Sequence, residues 1–150
     1  MEIKGIEKAF LTLHTGLGHF RTIEVEDLSK HKMDSEQMNI SEETAEMVNA
    51  THRNGKKVFA VGITVMRALE TPVTTQAEIK PYSGWTNKFI FPPYNFSIAD
   101  AFITNFHLPS STMLMSAAAF GGFEKVMNAY DVALKEGYKF GTYGDAMLII

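Results

Sequence analysis

The sequence predicts an α/β domain, with a partly parallel sheet flanked by helices. Three observations carry this reading. Short apolar runs alternate with helical patterns along the chain. Val58-Phe-Ala-Val61 is an unbroken apolar run after a helical stretch, as a buried strand requires. Phe123, Val126, Met127, Tyr130 and Leu134 recur at the spacing of one helix face. The 150 residues read as a single domain spanning 1–150, and a chain of that length buries about 68–70% of its unfolded surface without staples.

Taken in order, Ala9 to His14 is apolar and ends at Gly16-Leu-Gly18, a strand running into a tight loop. Arg21 to Val25 suggests a second short strand, and the polar stretch Asp27 to Gln37 a loop. Ser41 is a good N-cap for a helix reaching Asn54, with Ala45, Val48 and Thr51 facing inward and Gly55 ending it. After the Val58–Val61 strand, Gly62 leads into a helix from Thr64 to Thr71, stopped by Pro72. Val73 to Pro81 is a polar connector, and Lys88 to Phe91 is strand-like until Pro92-Pro93. Ala101 to Phe106 is a further strand, closed by Pro109. Ser110 or Ser111 caps an apolar helix to Phe120. Gly121-Gly122 breaks that helix ahead of the amphipathic one. Gly137 stops the latter, and Ala146 to Ile150 forms a last strand. The strands near 9–14, 58–61, 102–106 and 146–150 are expected in one sheet.

Composition narrows the function classes. The chain has a net charge of −3, 45% hydrophobic and 21% charged residues, and no cysteine. It has no thiol nucleophile, disulfide or thiolate metal site. No apolar run is long enough to span a bilayer, and the charged start does not resemble a signal peptide. These features favour the cytoplasm. The charges divide as nine basic against eleven acidic residues in 1–75 and five against six in 76–150, so no basic stripe marks a nucleic-acid binder. From Pro81 to Phe123 the only formal charges are Lys88 and Asp100, which reads as interior or as the wall of a pocket.

Several residues are candidates for chemistry. Gly16 and Gly18 lack the third glycine of a dinucleotide fingerprint, since Arg21 stands there. They still allow backbone N–H groups to approach an anion beside His14, His19 and Arg21; a plain turn is the alternative. Thr64 opens a helix after a buried strand, where anions are favoured. Arg67 offers a bidentate fork there, or else a surface pair with Glu70 worth little. Asn105 and His107 end a strand at the edge where open α/β sheets bind ligands. There His107 suits an acid or base and Asn105 an orienting group; a hydrogen-bonded structural histidine is the alternative. His14 holds the equivalent place on the first strand. Asp145 enters an apolar strand and needs a partner if buried, or simply caps it. The histidine spacing gives no metal signal. Taken alone, these residues describe an anion-friendly crevice and name no reaction. His14, Gly16, Gly18, Arg67, Asn105 and His107 are expected to converge on it.

Six ordered motifs add a resemblance: Leu13-His-Thr-Gly-Leu-Gly-His-Phe20, Glu26-Asp-Leu-Ser-Lys-His-Lys-Met-Asp-Ser-Glu36, Val61-Gly-Ile-Thr-Val-Met-Arg-Ala-Leu-Glu70, Ser83-Gly-Trp-Thr86, Ile103-Thr-Asn-Phe-His-Leu-Pro109 and Gly141-Thr-Tyr-Gly-Asp-Ala-Met-Leu-Ile149. Together they resemble the S-adenosylmethionine:tRNA ribosyltransferase-isomerases of queuosine biosynthesis, over the C-terminal part of those longer enzymes. The resemblance implies the C-terminal part of the family's large α/β domain, without its inserted β-barrel. It implies transfer and isomerisation of the ribosyl group of S-adenosylmethionine onto 7-aminomethyl-7-deazaguanine in tRNA, giving epoxyqueuosine. S-adenosylmethionine is then a consumed substrate, with no cofactor and no metal, and tRNA is the partner. Catalysis falls to His14 and His107, and substrate binding to Gly16, Gly18, Arg21, Thr64, Arg67, Asn105 and Asp145. The chain departs from the family at Ile63, where threonine is usual, at Pro93, where glycine is usual, and at Thr15, His19 and Asp34. The upstream motif and barrel are missing, so Met1 reads as the start of a fragment, weak or inactive alone. The alternative is a non-catalytic anion- or nucleotide-binding module.

Overall fold

A computed structural model describes residues 4–16 and 22–150. In order, the elements are β1 (Thr12–Leu13), a 3-10 turn (Leu28–Lys30), β2 (Glu36–Ile40), α1 (Glu42–Arg53), β3 (Phe59–Val61), α2 (Ile63–Leu69), β4 (Tyr82–Thr86), β5 (Ala101–Asn105), α3 (Thr112–Gly121), α4 (Phe123–Lys135) and β6 (Ala146–Ile149). The α/β class and the three long helices agree with the sequence. The single sheet does not: the strands form two three-stranded sheets, ordered β1-β2-β4 and β3-β5-β6.

In the second sheet β3 runs parallel to β5, with Phe59 opposite Ala101 and Val61 opposite Ile103. β6 is antiparallel to β5, with Asn105 opposite Ala146. Ala60, Phe102 and Thr104 alternate onto the buried face. There the Phe102 ring meets Phe120 of α3 edge-on, centroids 5.8 Å apart. The opposite face carries Phe59, Val61 and Leu148, all exposed. Asp100 fixes the β3 entry by accepting the Val58 N–H at 2.8 Å.

The first sheet holds the chief departures from the sequence reading. β1 lies here, antiparallel to β2, not beside β3. β2 begins in the last two residues of the stretch expected to be a loop and runs past it to Ile40. Its Glu36, Met38 and Ile40 are buried while Gln37 and Asn39 are exposed. That is a period of two, hidden because one buried residue is a carboxylate and both exposed ones are amides. β4 pairs with β2 from Tyr82 to Thr86, whereas residues 88–91 form no strand. Near 21–25, the described part shows only a bridge from Thr22 to Ser111.

Helix boundaries follow their caps. The hydroxyls of Ser41 and Ser111 accept from Thr44 N and Leu114 N, both at 3.1 Å. The first supports α1, which buries Thr44, Ala45, Val48 and Asn49. Asn49 reaches across to the Ile79 backbone, bonding both its N–H and its carbonyl at 2.9 Å. α4 packs on Val126, Tyr130 and Ala133, while Phe123 and Leu134, expected on that face, are exposed. The tertiary contact turns the helix by selecting Ala133 over its larger neighbour, since α3 lies close across a one-glycine break.

Phe102 is fully buried and ring-packed. Phe102→Ala should therefore cost about 3–5 kcal/mol, measured by chemical denaturation. A loss below about 1 kcal/mol would show that this sheet face is not the centre of the core.

Candidate functional site

α2 places the candidate residues, because its two ends face different sheets. Gly62 continues the parallel ladder, donating to Ile103 O at 2.8 Å. It then turns the chain with φ at 95°, a left-handed value that suits glycine. α2 thus begins beside the C-terminal end of β5, where Asn105 stands. Thr64, half-buried, lies in its first turn. Arg67 lies three residues on, about 4.5 Å along the axis, and points to the other sheet.

There it makes a deeply buried ion pair. Arg67 Nη1 donates to Glu36 Oε2 at 2.6 Å, with both side chains almost fully buried. Arg67 Nε donates to the Lys88 carbonyl at 2.8 Å. The other carboxylate oxygen, Glu36 Oε1, accepts the Gly16 N–H at 2.9 Å. The pair is tolerated in the interior because both ions have further hydrogen bonds to offset desolvation. Two expectations about Arg67 are therefore corrected. It lies in the last turn of its helix and not at the helix start where its fork was expected, and its carboxylate partner is Glu36, not Glu70. Glu70 points elsewhere, accepting from Ser97 N and Ile98 N, each at 3.0 Å, and from the Tyr94 hydroxyl at 3.2 Å. The Gly16 N–H is likewise committed to Glu36 in this structure, and a Cβ at Gly16 would meet nothing within 4 Å.

Beside this pair runs a second chain of contacts. Lys88 Nζ donates to the Tyr94 hydroxyl at 3.1 Å, which in turn donates to Glu70. Burial lowers the Lys88 pKa, with Glu70 opposing. Burial and the Glu70 charge push the Tyr94 phenol well above its usual range.

The remaining candidates gather at the C-terminal edge of the parallel pair. Asn105 Nδ2 donates to the Gly144 and Asp145 carbonyls at 3.2 and 3.3 Å. Asp145 Oδ2 accepts the Lys139 N–H at 2.7 Å, closing the loop before β6. Gly144 is required in that loop, since a Cβ would collide with the Lys139 carbonyl. Asp145 is exposed and acts as the cap that was the alternative to a buried acid. His107 is buried, with Nε2 at 2.7 Å from Thr104 Oγ1 and its backbone N–H donating to the Tyr130 hydroxyl at 2.8 Å. Burial raises the Tyr130 phenol pKa and the His107 bond opposes it. His14, by contrast, is exposed at the end of β1, its N–H on the Gln37 carbonyl at 2.9 Å.

These contacts sort the expected residues into two groups on two sheets, His14, Gly16 and Arg67 in one and Thr64, Asn105, His107 and Asp145 in the other, with α2 between them. Gly18 and Arg21 lie outside the described residues. The chain on their far side returns beside the second group, with Ile23 N donating to Ser110 O at 2.8 Å. Glu36, Lys88, Glu70 and Tyr94 were not among the expected residues. Glu36 was signalled by the β2 alternation that it opens and by its place at the end of the Glu26–Glu36 motif. Among the described residues, no three of His, Asp and Glu are grouped to hold a metal ion, and no helix is long and apolar enough to cross a membrane.

The fold and its α2 edge define a mixed α/β domain with polar groups gathered where its strands end. Residues 1–149 match the model of a family described as queuosine biosynthesis protein. The chain belongs to that family. It is 64% identical over all 150 residues to the S-adenosylmethionine:tRNA ribosyltransferase-isomerase of Bacteroides fragilis, covering 43% of that protein. It is 57% identical over 150 residues to the enzyme so named in Cytophaga hutchinsonii, again covering 43%. Among solved structures it resembles the S-adenosylmethionine tRNA ribosyltransferase of Thermotoga maritima, at 39% identity and a TM-score of 0.81, over 99% of this chain and 47% of that one. The chain thus spans less than half the length of the relatives it matches.

Two expectations follow from the site. Arg67→Ala leaves Glu36 charged and buried, so it should cost about 3–5 kcal/mol; Arg67→Lys should recover only part, lacking the planar fork. Urea denaturation of both decides it, and an Arg67→Ala change near zero would dissolve the buried pair. The second concerns alkaline pH. With its folded pKa raised above 10.0, Tyr94 keeps its proton where the unfolded chain loses it, so its contribution is full below pH 10 and declines as pH rises further. Tyr94→Phe should therefore flatten the fall in stability above about pH 10. Parallel curves for parent and variant would contradict this.

Proposed function

We propose that this chain is the C-terminal, substrate-handling part of a tRNA ribosyltransferase-isomerase of queuosine biosynthesis, acting in the cytoplasm. The observation that carries this is whole-chain identity of 64% with a relative so named. Placement of the polar candidates around α2 supports it. The reaction takes S-adenosylmethionine as a consumed substrate, without a cofactor. It transfers the ribosyl group to the aminomethyl group of 7-aminomethyl-7-deazaguanine in tRNA, and isomerisation with loss of adenine and methionine leaves the epoxy-cyclopentanediol of epoxyqueuosine.

Within that reaction, His14 is the exposed imidazole able to take a proton from the carbon beside the sulfonium. His107 is the second candidate for proton transfer: Thr104 holds its ring and the Tyr130 hydroxyl its backbone N–H. Thr64, Asn105 and Asp145 border the edge where the substrate's polar groups would lie. Gly16 and Gly18 allow the backbone close to the substrate, and Arg21 supplies a cation. Arg67 works through Glu36 on the Gly16 backbone, as a positioning residue.

The relatives are more than twice as long, so the test joins this chain to the preceding portion of the Bacteroides fragilis relative. The folded chimera, given S-adenosylmethionine and tRNA carrying the aminomethyl base, should release adenine only when both are present. His14→Ala should abolish that release while leaving the thermal midpoint unchanged. A folded chimera that binds S-adenosylmethionine but releases no adenine would overturn the catalytic reading in favour of a binding module.

A further inference from the structure

The outer face of the β1-β2-β4 sheet is built unlike the rest of the surface. Register and exposure place two rows of side chains on it. Trp85 stands opposite Gln37, and His14 continues the same row on β1; Ser83, Asn39 and Thr12 form the next row. All six are exposed. Strands lie about 4.8 Å apart, so His14 is about 10 Å from Trp85, with Gln37 between them. Trp85 is 63% exposed, although its backbone is held: the Tyr82 hydroxyl donates to the Trp85 carbonyl at 2.9 Å. The Tyr82 ring also lies so close over Gly84 that a Cβ there would meet its hydroxyl at 2.9 Å. A large indole is thus presented to solvent on a fixed strand.

We propose that this face is a stacking platform for an unpaired RNA base, which Trp85 holds by its π-face while Gln37, Asn39 and Ser83 bond its edges. The inference rests on the tRNA-modifying reading above and names the surface that reading leaves unassigned. Three features select this occupant. Aromatic rings on a sheet surface, flanked by amides and hydroxyls, are the means by which proteins hold splayed bases of RNA loops. The six side chains include no carboxylate, in a chain of net charge −3. Lys80, exposed, lies beyond the start of β4, where a phosphate flanking a stacked base would lie; Lys88, beyond its other end, is turned onto Tyr94, and Glu42 lies past the end of β2. A platform here also brings the base to the row that ends in His14, the proposed proton acceptor.

Trp85 is the only tryptophan, so its fluorescence reports on this face alone. Titration of the chain with an RNA hairpin bearing an unpaired loop should quench it saturably, and a fully paired duplex of equal length should not. Binding of the labelled hairpin, followed by anisotropy, should weaken about tenfold to a hundredfold in Trp85→Ala. It should largely return in Trp85→Phe, which keeps a π-face. Circular dichroism confirms that both variants fold, as an exposed side chain predicts. Unchanged affinity in Trp85→Ala overturns the platform, and so does hairpin binding without a fluorescence change, or no binding at all. In the chimera, with any tryptophan of the added portion replaced by phenylalanine, iodide should quench Trp85 before RNA is added. Protection at that stage would make the face a packing surface for the rest of the polypeptide, and the proposal would fall. Adenine release with Trp85 indifferent to RNA removes the platform alone, whereas quenching without adenine release removes the reaction alone.

Discussion

The Arg67–Glu36 contact is the constraint around which this domain is arranged. Two opposite charges, both almost fully buried, are stable there only while each keeps its other hydrogen bonds. Those bonds reach the Lys88 carbonyl on one side and the Gly16 N–H on the other. A helix that starts at one sheet is thereby fastened to a strand of the other. The first segment after β1 is fastened to the same carboxylate. Separating the helix from the strand would strand a charge in the interior, and moving the segment after β1 would take a hydrogen bond from Glu36.

From this follows the division of the candidate site. The α2 start, Asn105 and the Asp145 loop belong to the edge of β3-β5-β6, where backbone geometry does most of the positioning. His14 and Gly16 belong to the other sheet and depend on Glu36. The Lys88–Tyr94–Glu70 contacts wrap the far end of α2, and Glu70 is occupied with two backbone N–H groups and a phenol. Two acids three or more residues from Arg67 were thus available to it in principle. The one that pairs with it is the one distant in sequence, because the nearer one is used to hold the turn at residues 97–98.

Helix α4 shows the same rule applied to apolar residues. Its sequence offers a broad apolar arc from Phe123 to Leu134. Only Val126, Tyr130 and Ala133 are buried on it, since the short link from α3 fixes the angle of approach. Tyr130 then serves the neighbouring strand end, its hydroxyl accepting the His107 N–H. A packing residue thereby determines where a candidate functional histidine sits.

Local patterns in the sequence determined the helices and the parallel core. Serine caps, glycine stops, the helical period in α1 and α4 and the unbroken run at 58–61 are all properties of neighbouring residues. They also placed Asn105 and Asp145 at a strand edge, and the ordered motifs placed the chain in its family. The sequence did not determine which strands share a sheet, because β1 and β3 are both short apolar runs and only long-range pairing tells them apart. β2 remained hidden because its inward Glu36 is a charge that becomes an acceptable core residue only when Arg67, 31 positions away, meets it. The partner of Arg67, the cap role of Asp145 and the exposed row from Trp85 to His14 were likewise decided by tertiary structure. Each depends on residues distant in sequence being brought within hydrogen-bond or cross-strand reach, and no local period records that.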